Sequence, residues 1–291
     1  MAFAIKQHTF NLEDVPEEDR KEMEAMIPSQ AVVDAYTHRT FPGGVTDFDL
    51  FDAAMASRHN VMLAGPTGSG KTTAGRAYAG ARRLPFASVE FNGAMDPNST
   101  IGTNIVNPKT GLPDYIYGEI TKVCLYGGVG FLDEVNNLTG RMTAAFHGLL
   151  DVRQSLYISE LGVRVPKSEN CLIFAAYNPR YHGTNTLNEA FVNKFAFTVD
   201  PWDYDPAVEE ERVGAYSPTL LGLIRKFRAE DNIQGDIGTN AMEEFIANAQ
   251  ALNVTFAIFT FLCKVPVEDR SIMSDVLEAE GTALRKELGA D

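Results

Sequence analysis

The chain has 291 residues, 45% hydrophobic and 22% charged, with a formal net charge of −14. That length accommodates one large core plus a smaller domain. The acidity argues against a large nucleic-acid footprint, which needs a basic surface, and the longest apolar run, Val254 to Cys263, is too short to span a bilayer.

Three cysteines, Cys124, Cys171 and Cys263, show no metal-ligand spacing and are expected as small core residues in a reducing compartment. The start, Met1 to Lys6, lacks the apolar stretch of a signal peptide, so a cytoplasmic protein is expected.

In chain order, residues 1–35 read as an acidic, solvated arm with a short helix over 17–25. A loop follows to Gly44. Phe48, Leu50, Phe51, Ala54 and Met55 then recur at helical spacing. Residues 60–64 are a short apolar strand, and behind it comes the stretch that organises the chain: Gly65, Pro66, Thr67, Gly68, Ser69, Gly70, Lys71, Thr72.

This octet satisfies G-x-x-x-x-G-K-[ST] at every fixed position. Glycines are needed because backbone N–H groups must close around phosphate oxygens where a Cβ would intrude. Lys71 is assigned to the β/γ-phosphates and the Thr72 hydroxyl to Mg²⁺. Thr73 opens the following helix, whose N-terminus favours an anion. Gly65 to Thr73 are thus the candidate nucleotide-binding residues.

Residues 85–91 form the next strand. A loop over 92–103 contains Asp96, Pro97 and Asn98, and Asn107 to Pro113, including Lys109, forms a hairpin tip. A short helix over 120–126 leads to Gly130-Phe131-Leu132-Asp133-Glu134, an apolar strand ending in two carboxylates. Strand alternation predicts that the two acids point to opposite sides. Asp133 would support Mg²⁺, and Glu134 would activate the water that attacks the γ-phosphate.

A helix over 141–151 precedes a second hairpin, 155–158 with 163–165, turning near Gly162. Residues 172–176 are another buried strand, and Asn178 just past it is placed to hydrogen-bond the lytic water or the γ-phosphate. A helix over 187–194 leads to the last strand, 195–199. Residues 200–206 read as a linker, and helices follow at 220–227, 240–252, 256–262 and 271–284.

This order of parts resembles an AAA+ ATPase. The hairpin at 107–113 is similar to the helix-2 insert and that at 155–165 to the pre-sensor-1 insert of the MoxR, NorQ/CbbQ, GvpN, dynein and midasin branch. The string Tyr177-Asn178-Pro179, Gly183, Leu187-Asn188-Glu189-Ala190-Phe191, Phe195 is similar to the sensor-1 to arginine-finger stretch there. The resemblance implies an α/β fold: a P-loop NTPase αβα sandwich with a parallel sheet, two hairpin inserts and a small C-terminal helical lid. It divides the chain into 1–35, 36–205 and 206–291.

It further implies a homo-oligomeric, usually hexameric, ring with ATP and Mg²⁺ between subunits, driving remodelling of a protein client. A partner with a von Willebrand factor A domain often accompanies such rings. Two positions depart from the pattern. Lys194 stands where an arginine finger is expected, keeping the charge but not the planar fork. Asn240 stands near the expected sensor-2 arginine; Arg141, Arg153, Arg164 and Arg180 are the substitutes the sequence offers. Those departures keep a second reading open, a nucleotide-bound switch or scaffold with little turnover. A GTPase is disfavoured because Asn193-Lys194 continues into Phe195-Ala196, without the aspartate of a guanine-reading N-K-x-D pattern. A small-molecule kinase would not account for the two inserts.

Overall fold

The structure, a computed structural model, describes residues 10–92, 100–108, 110–179, 187, 189–230 and 237–290, with Arg141 described by its backbone alone. Asp96, Pro97, Asn98, Lys109, Arg180, Gly183 and Asn188 lie outside the described residues.

In chain order the strands are β1 (Thr40–Phe41), β2 (Val45–Thr46), β3 (Val61–Ala64), β4 (Phe86–Glu90), β5 (Gly102–Val106), β6 (Pro113–Tyr117), β7 (Gly128–Asp133), β8 (Ser155–Ile158), β9 (Val163–Pro166), β10 (Cys171–Tyr177) and β11 (Phe197–Val199). Five of them form a parallel sheet in the order β11-β3-β10-β7-β4. Parallel pairing forces the chain to cross a face of the sheet between strands, so both faces carry helices and the central strands are apolar throughout.

Alternation along β7 and β10 sorts the two faces. Phe131 stacks on Phe174, which meets Phe51 of helix Asp47–Ala56 edge-on at 4.8 Å. Helix Lys71–Ala81 shares this face, and its Gly75 explains itself there: a Cβ would come 2.8 Å from the Phe131 ring. On the opposite face Leu132 and Ile173 join a core with Val123, Met142 and Phe146.

Residues expected as a solvated arm belong to that second core. Helix Glu17–Ala25 buries Met23 completely, and Val15 just before it is 1% exposed. Lys122 is buried and bridges Asp19 and Glu22 at 2.8 Å each. The acidic run reads as solvated because its apolar anchors are few; burying Lys122 against two carboxylates gives the run its place.

Asp47 is fully buried and clamps the loop ahead of its helix. It accepts from the Tyr36 hydroxyl, from His38 Nδ1 at 2.9 Å, from the Arg39 N–H at 3.2 Å and from the Phe48 N–H at 2.8 Å. Asp47→Ala leaves these donors without their acceptor and is expected to cost about 3 kcal/mol. Denaturant titration reads this as a lower unfolding midpoint, and an unchanged midpoint would refute the clamp.

The two hairpins form as expected, β5 with β6 and β8 with β9, both antiparallel. Asn104 donates to Glu160 Oε2 at 3.2 Å, tying one hairpin to the other.

The chain divides into two compact units: one runs to Gly65 and resumes from Lys71 to Pro201, the other combines Pro66–Gly70 with Trp202 onward. The second unit is helical, with Leu220, Ile224, Met242, Phe245, Ala257 and Leu284 among its core residues. Its longer helices are Pro218–Ala229, Thr239–Ala251, Val254–Leu262, Val267–Ala279 and Gly281–Leu288. The single helix expected over 271–284 is two helices, separated at Glu280, which lacks helical dihedrals (φ −90°, ψ 5°). Cys124 and Cys171 are buried as expected, whereas Cys263 is exposed just past helix Val254–Leu262. Among the described residues no helix is long and apolar enough to cross a membrane.

Candidate nucleotide site

Register brings the chemical groups of the first unit to one edge of its sheet. Ala64 pairs with Tyr177 across β3 and β10, and Leu132 pairs with Ala175 across β7 and β10. Gly65, Asp133 and Asn178 therefore leave three adjacent strands at their carboxyl ends, where open parallel sheets place ligands. The Gly65 N–H extends the ladder by donating to the Tyr177 carbonyl at 3.0 Å.

Lys71 is buried, and its ammonium donates to the Gly65 carbonyl at 2.9 Å. The Thr72 hydroxyl donates to Asp133 Oδ2 at 2.8 Å, joining the phosphate-loop helix to the acidic strand end across 61 residues of sequence. Asn178 is 1% exposed at the end of β10, and Thr73 is exposed on the first turn of its helix.

Glu134 departs from the alternation argument. It has φ 51° and ψ 45°, left-handed rather than extended, so its direction comes from a turn and not from the strand pleat. Its N–H donates to Asp133 Oδ1 at 3.0 Å. A non-glycine residue held in this region is strained. Burial raises the Glu134 carboxyl above its ordinary value; the Asp133 charge raises it further, Lys71 pulls it back, and Glu90 adds a smaller upward push. A carboxylate adjusted this way suits proton acceptance better than a solvated one.

In the second unit, Gly68 and Gly70 take φ 74° and 83°, conformations that side chains rarely adopt. A Cβ at Gly70 would stand in open space, the concavity a phosphate needs, whereas at Gly68 it would come 2.9 Å from Gly238 Cα. Ser69 is buried, and its hydroxyl donates to the Pro66 carbonyl at 2.8 Å. The segment read as a linker holds this loop: the Trp202 indole N–H donates to the Ser69 carbonyl at 3.1 Å and the Tyr204 hydroxyl to the Thr67 carbonyl at 2.9 Å. The one signal in the sequence was a lone tryptophan among prolines and aspartates, which suits burial better than a linker.

A nucleotide phosphate with Mg²⁺ fits the residues present. In the second unit the glycine concavity suits an anion, and in the first so does Lys71. Thr72 and Asp133 suit a hard cation that keeps water and phosphate among its ligands. Among the described residues no group of three His, Cys, Asp or Glu side chains could hold a metal.

Lys194 sits elsewhere in the first unit. Its Nζ lies 3.4 Å from His147 Nδ1, beside Asp151, which pairs with Arg153 at 2.7 Å. Arginine and lysine together hold the Asp151 carboxyl down, to about 2, with the Arg153 hydrogen bond the largest cause. Arg164 lies over the Tyr157 ring of the second hairpin. Asn240 is exposed on the first turn of helix Thr239–Ala251.

A parallel sheet in this order, a glycine-rich loop between β3 and its helix, and a carboxylate pair ending β7 make a P-loop NTPase fold. Residues 60–195 match the AAA domain of the dynein-related subfamily. The chain is 31% identical over 157 residues to the uncharacterized protein YojN of Bacillus subtilis, 53% of this chain and 52% of that protein. It is 30% identical over 182 residues to protein NorQ of Paracoccus denitrificans, 60% of this chain and 66% of the relative. With denitrification regulatory protein NirQ of Pseudomonas aeruginosa it shares 28% over 169 residues, 57% and 63% of the two chains. The chain thus spans about half of YojN and just under two thirds of NorQ and NirQ.

Proposed function

We propose that this chain is a MoxR-like ATP hydrolase that assembles into a ring, with six subunits as the expected number, and remodels or activates a protein client. The observation that carries the hydrolytic part is the Thr72–Asp133 contact beside Glu134, Lys71 and Asn178. Kinship with NorQ and NirQ supports the branch.

In this reading, Gly65 to Thr73 bind the triphosphate and Lys71 neutralises its β/γ charge. Glu134 and Asn178 orient a water; its oxygen attacks the γ-phosphorus, Glu134 takes the proton, and the bond to the β–γ bridging oxygen breaks to leave ADP. Thr72, with Asp133 behind it, would hold Mg²⁺, which would supply charge neutralisation there. Lys194 acts on a neighbouring subunit's nucleotide in place of an arginine finger; its grouping with Arg153 makes a guanidinium available beside it.

The tied hairpins support a client-facing role. Val106 and Leu112 on the first are 70% and 65% exposed, and Tyr157, Leu161 and Val163 on the second are also exposed. Apolar residues at loop tips contribute little to their own fold and suit contact with another protein. A client, with a von Willebrand factor A-domain protein as an accompanying partner, is the proposed occupant. Lys194 and Asn240 favour the alternative of an ATP-bound assembly switch with little turnover.

The test is Mg²⁺-dependent ATP turnover per subunit as protein concentration rises. Turnover per subunit that climbs with concentration is expected for a site shared between subunits. Tight ATP binding with no turnover at any concentration selects the switch.

A further inference from the structure

The peptide groups of the phosphate loop carry an inference that deepens the nucleotide reading and rests on it. A trans peptide is planar, with its C=O and N–H pointing to opposite sides. Fixing a carbonyl therefore fixes the direction of the next residue's N–H. Two loop carbonyls are fixed in this way, those of Thr67 and Ser69, by Tyr204 and Trp202. The N–H groups they direct are those of Gly68 and Gly70, the two glycines at positive φ.

We propose that Trp202 and Tyr204 are positioning residues for the phosphate site, setting the aim of the Gly68 and Gly70 N–H donors at the phosphates. The same groups would be harder to aim without them. A glycine loop has the greatest backbone freedom of any sequence, and that freedom must be lost before N–H groups converge on an anion. Two side-chain donors on the outer side of the loop remove it before the ligand arrives, which is how pre-organisation raises affinity.

The hold on Tyr204 extends into the helical unit. The Arg228 guanidinium lies over the Tyr204 ring, 3.6 Å from its centroid. Arg228 also donates from Nη1 to Glu209 Oε1 at 2.7 Å and from Nε to the Ile237 carbonyl at 2.8 Å. Glu209 is 2% exposed and accepts from the Thr239 hydroxyl as well. Between Ile237 and Thr239 lies Gly238, the residue that meets Gly68. Arg228 thus anchors both the tyrosine that holds Thr67 and the turn that touches Gly68. A contact that displaced helix Pro218–Ala229 would loosen the aim of the phosphate donors, so nucleotide affinity is adjustable from the helical unit.

Trp202 is the only tryptophan in the sequence, so its emission reports on the Ser69 carbonyl without any activity assay. ADP and ATP affinities are measured by calorimetry on the full chain, with Trp202 emission followed in parallel. ADP is expected to shift that emission in the parent. Tyr204→Phe keeps the ring under Arg228 and removes only the hydroxyl. It is expected to weaken ADP and ATP about three- to tenfold, the effect of one lost hydrogen bond, with an unchanged thermal midpoint in the absence of nucleotide. Tyr216→Phe, which removes a hydroxyl from an exposed tyrosine of the same unit, is expected to bind like the parent. Trp202→Phe removes the second donor together with part of a buried ring and is expected to act in the same direction. Parental ADP affinity in both Tyr204→Phe and Trp202→Phe overturns the proposal while leaving the nucleotide reading intact. A parent that binds neither ADP nor ATP overturns the nucleotide reading itself, and this proposal with it.

Discussion

Glu134→Gln is expected to cut ATP turnover by about 10²–10³-fold while ATP stays bound, because the amide cannot accept the proton of the attacking water. The environment of Glu134 adds two further signatures. Its carboxyl titrates above the ordinary 4.5, chiefly through burial and then through Asp133. The acid limb of kcat/KM is therefore expected above that value, since the group must be ionised to act as a base. For stability the sign runs the same way. A carboxyl whose folded-state pKa is raised favours the folded state at low pH, and that contribution is lost as pH rises through the raised value. Near neutral pH the ionised Glu134 costs stability, so Glu134→Gln should raise Tm there and converge on the parent in acid. The left-handed backbone of Glu134 (φ 51°) remains in the variant, so any gain comes from the charge alone. Parental turnover in the variant would sink the catalytic assignment. A lower Tm at neutral pH would sink the electrostatic one.

Lys71→Ala is expected to weaken ATP and ADP by about 100-fold, the loss of charge-assisted hydrogen bonds to a polyanion. In the structure the ammonium is buried, and the Gly65 carbonyl accepts from it. A phosphate would offer this buried ammonium an anionic acceptor. Lys71→Arg is not expected to rescue binding, because a planar fork does not occupy the place of a compact ammonium. Calorimetric titration with ADP separates the two variants from a turnover defect. Unchanged affinity in Lys71→Ala would remove the phosphate loop from the proposed site.

Much of the first unit was legible in the sequence for local reasons. The runs that became β3, β4, β7 and β10 are short, apolar and bounded by turn residues. The octet from Gly65 to Thr72 names its own backbone conformation, because glycine adopts the positive φ seen at Gly68 and Gly70 far more readily than any other residue. The hairpins were readable from turn chemistry, and their pairing follows from it. Reading by local pattern failed where a residue's role is set by a neighbour far away in sequence. The acidic segment around Glu17 lacked periodic apolar residues, yet two anchors and the buried Lys122 suffice to seat it.

Chain chemistry alone thus settled the loop's composition, the places of the core strands, and the presence of two carboxylates at one strand end, since each depends on residues within a few positions. Tertiary structure alone decided that Thr72 meets Asp133, that Glu134 turns out of the strand, that Lys194 groups with His147 and Arg153, and that a supposed linker grips the phosphate loop. Trp202 and Ser69 are 133 residues apart. No local periodicity encodes such a contact, because its two partners are distant in sequence and meet only in the folded chain.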